Sequence, residues 1–240
     1  ATLANQNLGL INKNLSNAIV KACDQVINLN LLDEFPLSVW QTGSGTQTNM
    51  NANEVISNYA IKILKGKIGS KSPIHPNDHV NLSQSSNDTF PTVMHIAANE
   101  LTDKKLIPAI KNLIKEFKIK TKSYSKIIKI GRTHTQDATP LTMGDEFSGY
   151  LHQIQNNYKR IVLAKRELNY LAQGGTAVGT GINTKKNFDK KIINEIKKIT
   201  KLPFKPAKNK FAALAAHDAI VNYSGTLNTT AVSLMKIAND

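Results

Sequence analysis

Hydrophobic positions along this chain recur mostly at helical spacing. The first set lies on one face of a helix because its members are three or four residues apart. It comprises Ile11, Leu15, Ala18, Ile19, Ala22 and Val26. Residues 53–65, 91–125, 142–172, 187–200 and 211–240 have the same period, whereas strand-like alternation is nearly absent and only 37–40 and 127–130 look extended. The pattern predicts an all-α protein with long helices suited to a bundle, together with short extended pieces.

Both ends of the chain lie within or beside helical patterns. There is no initiator Met, and the last pattern continues to Asp240 without a helix-stop signal. We therefore expect these 240 residues to lack both ends of a longer protein.

Composition narrows the class of protein. Hydrophobic residues make up 40% of the 240 positions, enough for a sizeable core, which excludes a peptide hormone and an acidic disordered tail. The single cysteine, Cys23, excludes an internal disulfide and favours a reducing compartment. Since neither a membrane span nor a secretory leader is recognisable, we predict a cytoplasmic protein, and a mitochondrial location stays open.

The net charge of +14 raises the question of a nucleic-acid partner. The lysines, however, occur as scattered pairs such as Lys104-Lys105 and Lys190-Lys191, between apolar residues at helical spacing and without interleaved aromatics. Solvated helix faces explain this distribution better, so we predict no nucleic-acid partner. A basic surface still attracts small anions.

Four segments between the helical patterns are longer and more polar than helix connections require. They span 41–53, 72–88, 131–140 and 173–184, and are called here the first to fourth polar segments. Ser, Thr, Asn, Gln, Gly and His dominate their composition. Long ordered loops tend to carry function, so candidate chemistry lies in these segments.

The first polar segment contains Gly43-Ser44-Gly45-Thr46 ahead of a helix. Hydroxyls and backbone N–H groups at a helix start form a cradle for an anion, although an ordinary capping loop has the same composition. The spacing excludes a P-loop and a dinucleotide fingerprint. Both interpretations stay open on these residues alone.

In the second polar segment, His75 and His79 flank a Pro-Asn-Asp turn. Because the sequence offers no obvious third ligand beside these two histidines, we do not predict a metal site. Ser85, Ser86 and Asn87 precede Asp88, where a helix is expected to start, and their donors suit a carboxylate.

The third polar segment carries His134 among hydroxyls and an amide. An imidazole titrates near neutrality, which makes His134 a candidate general base. The fourth polar segment combines Gly with Thr and Asn and resembles a phosphate loop only weakly.

Taken in order, these motifs resemble the fumarase/aspartase superfamily and, within it, the class II fumarases. The matching stretches are Val39 to Asn51, His75-Pro76-Asn77-Asp78-His79-Val80-Asn81, Ser83-Gln84-Ser85-Ser86-Asn87-Asp88 and Gly131-Arg132-Thr133-His134-Thr135-Gln136-Asp137-Ala138. Ser86 and His134 favour the fumarases, since aspartases usually have Thr and Gln at these two places.

The resemblance implies reversible addition of water to fumarate, giving L-malate, without a metal or an organic cofactor. It implies a homotetramer with a shared central bundle and active sites formed by several subunits. His134 would activate water, and a second dicarboxylate site would use His75, Pro76, Asn77 and Asp78. The residues matching the carboxylate-binding positions are Ser44, Gly45, Thr46, Ser85, Ser86, Asn87 and Thr133.

The same resemblance predicts the domain organisation. Residues 1–84 would be the remnant of an N-terminal lyase domain, and 85–240 the first part of the central bundle domain. The family's Gly-Ser-Ser loop, which takes the C3 proton of malate, is absent from these residues, so we expect the 240-residue piece alone to be inactive.

Two alternatives remain open. The nearer is aspartate ammonia-lyase or a related dicarboxylate lyase. The other, from a different class, is a non-catalytic basic helical binding module.

Overall fold

The structure is a computed structural model and describes residues 1–38 and 45–240. Helices predominate in this part of the chain, which confirms the predicted all-α class. The helices are α1 (Thr2–Asn7), α2 (Lys13–Ile27), α3 (Thr46–Ile63), α4 (Ser86–Leu101), α5 (Ile107–Ser123), α6 (Met143–Lys165), α7 (Phe188–Thr200), α8 (Lys210–Ala215) and α9 (Asp218–Asn239). Short strands are β1 (Ile128–Thr133), β2 (Gln136–Thr142), β3 (Tyr170–Leu171) and β4 (Lys205–Pro206), with β1 antiparallel to β2 and β3 parallel to β4.

Polar side chains set several helix starts. Asn12 caps α2 by accepting the N–H of Leu15 at 3.0 Å. At α6 the Thr142 hydroxyl accepts the N–H of Asp145, and the Asp145 carboxylate accepts the N–H of Thr142 in return. Such a capping box uses donors that the first helical turn would otherwise leave unpaired.

The predicted helix over 91–125 is wrong as a single element. It divides into α4, a π-helical turn at Thr102–Leu106, and α5. Pro108 lies in the first turn of α5 and has no N–H to donate to the carbonyl four residues earlier, so the regular α ladder is interrupted here. The pattern 211–240 likewise divides into α8 and α9, and α6 ends at Lys165 rather than near residue 172.

The third polar segment is a β-hairpin, where a loop was expected. Strand β1 pairs with β2 in the register Ile128 to Thr142, with an irregularity after Ile130. A Cβ on Gly131 would lie 2.7 Å from the carbonyl oxygen of Thr139, so only glycine permits this approach of the strands. At the predicted piece 37–40, residues 37 and 38 form no strand and the other two lie outside the described residues.

The described chain divides into two compact units. The first unit contains residues 1–96 and 169–217, and the second contains 97–168 and 218–240. The predicted boundary between 84 and 85 concerns lyase domains of a longer protein, and it stays a prediction.

The first unit has two apolar clusters. One joins α2 and α3 through Ala18, Ile19, Ala60 and Ile61, all nearly fully buried. The other packs α1 against α7; its buried members are Ala4, Leu171, Phe188, Ile192, Ile193 and Phe204. These clusters fix the helices beside which the first, second and fourth polar segments lie.

The second unit is a helical bundle of α5, α6 and α9. Its core contains Ile110, Ile154 and Ile161, and burial of such side chains stabilises a fold by roughly 1.5–3 kcal/mol each. Tyr223 of α9 forms a buried hydrogen bond with the hydroxyl of Thr102. The β1–β2 hairpin belongs to this unit as well.

Candidate functional site

The N-terminus of α4 brings several predicted binding residues together. The helix begins at Ser86, two residues before the predicted start at Asp88, so Ser86 and Asn87 lie in its first turn. Ser85 donates its N–H to the Asp88 carboxylate at 2.9 Å, and its hydroxyl accepts the N–H of Asn87 at 3.2 Å. This local network holds the Ser85–Asn87 backbone at a helix N-terminus, where negative charge is favoured.

The start of α3 lies against the start of α4. Gly45 is buried and left-handed (φ 69°), and a Cβ on it would lie 2.2 Å from the Phe90 ring. The Asn49 amide donates to the Ser86 hydroxyl at 3.1 Å. Gly45 and Thr46 are therefore held near Ser86, while the predicted residue Ser44 lies outside the described residues.

The fourth polar segment folds against α4 through the Asp88 carboxylate. Its Oδ2 accepts the N–H groups of Gly174 (2.8 Å) and Thr176 (2.9 Å) and the side-chain amide of Gln173 (3.2 Å). Asp88 is fully buried. The segment thus uses its N–H groups on a carboxylate of the chain itself, which explains why it looks like an anion loop without being free to bind one.

A lysine holds the other side of this segment. Lys210 of α8 donates through Nζ to the carbonyl oxygens of Leu171 (3.1 Å) and Gln173 (2.8 Å).

Burial raises the pKa of Asp88 and lowers the pKa of Lys210. Gly174, with φ 93°, lies so close to Asp189 that a Cβ would be 2.4 Å from the Asp189 Cβ.

A cleft of about 560 Å³ lies beside these elements in the first unit. Its lining includes Ser85 and Ser86 from the predicted substrate site and Asn77 and Asp78 from the predicted second site. The fourth polar segment contributes Thr176, Ala177, Ile182 and Asn183. Neutral hydroxyl and amide groups therefore predominate among its polar lining.

The turn bearing the second-site residues is held by its own histidines. Pro76–Val80 forms one turn of π-helix, in which Pro76 is buried and Asn77 and Asp78 are exposed. The His75 Nδ1 atom accepts the N–H groups of Asn77 (3.2 Å) and Asp78 (3.3 Å). The His79 Nδ1 atom accepts the His75 N–H at 2.9 Å. These Nδ1 atoms therefore stabilise the turn.

His134 and Thr133 belong to the second unit. Thr133 ends β1, and His134 with Thr135 forms the two-residue tip of the hairpin, with φ values of 52° and 61°. Both side chains are exposed. An ion pair between Arg132 and Asp137, with Nε and Oδ1 3.4 Å apart, spans the hairpin below the tip. The hairpin thus presents the predicted general base on an exposed, tightly turned loop.

Sequence reasoning missed Asp88 and Lys210 as parts of this site. The signal for Asp88 is its position directly after Ser85-Ser86-Asn87, where the sequence pattern predicts only a helix start. Nothing in the local sequence marks Lys210, whose partners are about forty residues away. Asn49 and Asn81, whose amides interact at 3.5 Å beside Ser86, were missed as well.

Residues 1–38 and 45–240 contain neither a metal-binding cluster nor a membrane-spanning helix. No group of three or more His, Cys, Asp or Glu side chains is placed to hold a metal ion in this part of the chain. No helix among these residues is long and apolar enough to cross a membrane.

Comparison with known proteins identifies the family. The sequence model of the family described as "Lyase" matches residues 1–240. The mitochondrial fumarate hydratase of Saccharomyces cerevisiae is 60% identical over all 240 residues, which cover 49% of that protein. The class II fumarate hydratase of Rickettsia bellii is 58% identical over the same residues, which cover 52% of it.

The structural comparison agrees with the sequence comparison. A crystal structure of recombinant class II fumarase from Schistosoma mansoni superimposes with a TM-score of 0.96 at 47% identity, covering 100% of this chain and 53% of that one. The chain spans about half the length of these relatives. With a family model matched from the first residue to the last, the chain belongs to the lyase family, and within it resembles the class II fumarate hydratases.

Proposed function

We propose that the protein containing these 240 residues is a fumarate hydratase, which adds water to fumarate reversibly and gives L-malate. The observation that carries the proposal is the cleft at the start of α4, where Ser85 and Ser86 are joined by the amides of Asn77 and Asn183. The identity of 60% to a fumarate hydratase over the whole chain supports the same reaction.

The chemistry explains the preference for neutral donors. Removal of the C3 proton of malate leaves charge that spreads onto the adjacent carboxylate. Donors fixed around that carboxylate stabilise the transition state more than the ground state. Ser44, Gly45, Thr46, Ser85, Ser86, Asn87 and Thr133 are the proposed carboxylate-binding residues.

His134 is the proposed general base that activates water. Its exposed position at the hairpin tip leaves the imidazole accessible to substrate. The C3 proton itself requires another group, which the resemblance assigns to a serine in a Gly-Ser-Ser loop that is not among these residues.

The second dicarboxylate site is proposed at His75, Pro76, Asn77 and Asp78. The exposed Asn77 and Asp78 line the same cleft as Ser85 and Ser86, which supports a site close to the reaction site. Since the backbone N–H groups of the turn already bond to His75, a dicarboxylate there would meet the exposed side-chain amide of Asn77.

We propose a homotetramer whose active sites combine loops of different subunits, in the cytoplasm or in mitochondria, and without a cofactor. Exposed apolar side chains on α9, among them Val221, Val232 and Met235, support association through the bundle. The mitochondrial relative from Saccharomyces cerevisiae and the bacterial relative from Rickettsia bellii support either location.

The test compares two substrates in the complete gene product. Fumarate formation from L-malate and ammonia release from L-aspartate are measured at equal enzyme concentration. We expect turnover of malate and no ammonia above the enzyme-free control. Ammonia release faster than fumarate formation would replace the proposal by an aspartate ammonia-lyase, and turnover of neither substrate would reject both.

A further inference from the structure

The Asn87 side chain is oriented by the backbone of the fourth polar segment. Its amide nitrogen donates to the carbonyl oxygen of Ala177 at 2.8 Å, although the two residues are 90 positions apart. This bond fixes the rotation of an otherwise exposed amide and leaves its oxygen and second N–H for a ligand. The Asn87 amide is therefore only as well placed as Ala177 is.

Ala177 follows directly on the residues that Asp88 holds. The Asp88 carboxylate accepts the N–H groups of Gly174 and Thr176 through Oδ2 and the N–H of Ser85 through Oδ1. One buried carboxylate thus joins the fourth polar segment to the first turn of α4, immediately beside Asn87. Lys210 donates to the carbonyl of Gln173 in the same segment and to that of Leu171 in β3, just before it.

We propose that Asp88 is a positioning residue for substrate binding, which acts through residues 173–177 to orient the amide of Asn87. The inference deepens the proposed function and rests on it. Asp88 is fully buried and its oxygens are occupied by groups of the chain, so it reaches the substrate only indirectly, through the Ala177 carbonyl that orients Asn87.

A carboxylate suits this position because both of its oxygens accept hydrogen bonds. In Asp88→Asn one oxygen is replaced by an NH₂ group. That group would face either the N–H of Ser85 or the N–H groups of Gly174 and Thr176, so one donor set loses its partner. The segment or the helix start would shift, although the side-chain volume is nearly unchanged.

A double-mutant cycle in the complete gene product tests the proposal. Asn87→Ala, Asp88→Asn and the double variant are compared by kcat and KM for L-malate. Asp88→Asn is expected to raise KM by about tenfold, the size of a lost hydrogen bond, with a smaller change in kcat. The double variant should have nearly the KM of Asn87→Ala alone, because the two residues act through one contact.

The matched control is Tyr223→Phe, which removes a buried hydroxyl bonded to Thr102 in the second unit. It is expected to lower thermal stability and leave KM unchanged. If the KM increase of the double variant equals the product of the increases in Asp88→Asn and Asn87→Ala, the two residues act independently. That result would overturn the positioning role and indicate general destabilisation. An unchanged KM in Asp88→Asn would overturn it as well.

Lys210→Met provides a second route if Asp88→Asn does not fold. It removes the two Nζ contacts to the carbonyls of Leu171 and Gln173 and keeps the length of the side chain. A raised KM that is again non-additive with Asn87→Ala supports the proposal, and an additive or absent effect contradicts it. Failure of the wild-type protein to turn over malate would instead reject the proposed function, so the two failures are distinguishable.

Discussion

Gly45 lies directly against the aromatic ring of Phe90, with no room for a side chain between them. A Cβ on Gly45 would be 2.2 Å from the ring, and the Gly45 backbone is left-handed at φ 69°. This contact brings the residue before α3 to the second turn of α4, next to Ser86 and Asn87 in the first. The predicted binding residues Gly45 and Thr46 therefore depend on it for their place beside Ser86.

We predict that Gly45→Ala destabilises the protein by about 2–5 kcal/mol. A left-handed conformation costs an alanine about 1–2 kcal/mol, and the collision with Phe90 adds about 1–3 kcal/mol. Urea unfolding measures the change. The loss should be accompanied by a raised KM for L-malate, because the start of α3 must move.

Gly69→Ala is the matched control for this prediction. Gly69 is also left-handed, at φ 81°, but a Cβ on it would meet no atom within 4 Å. Gly69→Ala should therefore lower the unfolding free energy only by the cost of a left-handed alanine, about 1–2 kcal/mol. Equal losses in the two variants would show that the contact with Phe90 does not constrain the site.

The hairpin tip is conformationally strained at Thr135. A two-residue turn with positive φ at both positions favours Asn-Gly, whereas this chain has His134-Thr135 with φ values of 52° and 61°. We predict that Thr135→Gly raises the unfolding free energy by roughly 0.5–1 kcal/mol. Glycine removes the strain of a left-handed backbone at residue 135, which is about 1–2 kcal/mol. This gain exceeds the entropy cost of glycine, which is about 0.5–1 kcal/mol.

Thr139→Gly in β2 is the control, since Thr139 is exposed and has no positive φ. Thermal unfolding should show lower stability for this variant and higher stability for Thr135→Gly. A loss of stability in both would contradict the strain at the tip.

The capping box of α6 predicts a pH dependence of stability. Hydrogen bonds from the Thr142 hydroxyl and N–H lower the pKa of Asp145 from its ordinary value of 3.8. The unfolded chain then binds the proton more readily, so the stabilisation is present above the ordinary pKa and is lost as pH falls through the lowered one. The urea midpoint of Asp145→Asn should lie below that of the wild type at about pH 6, with the gap closing below about pH 4.

Thr142→Ser is the control for the capping box, because it keeps the hydroxyl and should keep the pH dependence. If the difference in urea midpoint between the wild type and Asp145→Asn stays constant down to about pH 3, the pH dependence does not come from the Asp145 carboxylate.

The helical class could be predicted because apolar residues such as Ile19 and Ile61 occupy one face at local, regular spacing. The β1–β2 hairpin could not, because its pairing depends on Gly131 permitting the approach of Thr139 rather than on alternating side chains. The break between α4 and α5 has a visible cause in Pro108, because proline is common in the first turn of a helix and disfavoured in a helix interior.

The motif residues of the candidate site were predictable, but their connections were not. Ser85, Ser86 and Asn87 are consecutive in sequence, and their donor types already suit a carboxylate. The role of Asp88 depends on N–H groups 86 and 88 residues away, and nothing in the local composition indicates such a contact. Contacts at that separation follow from the packing of the whole first unit.

The most direct test of the account is the rate of fumarate formation from L-malate by the complete gene product and its His134→Asn variant. His134 is exposed, so the variant should unfold at the wild-type temperature. His152→Asn, at an exposed position in α6, serves as the control and should keep the wild-type rate. We predict that His134→Asn lowers kcat by at least about 10²-fold, the size of a general-base loss. A rate within about twofold of the wild type would contradict the role of His134, and with it the proposed chemistry of this site.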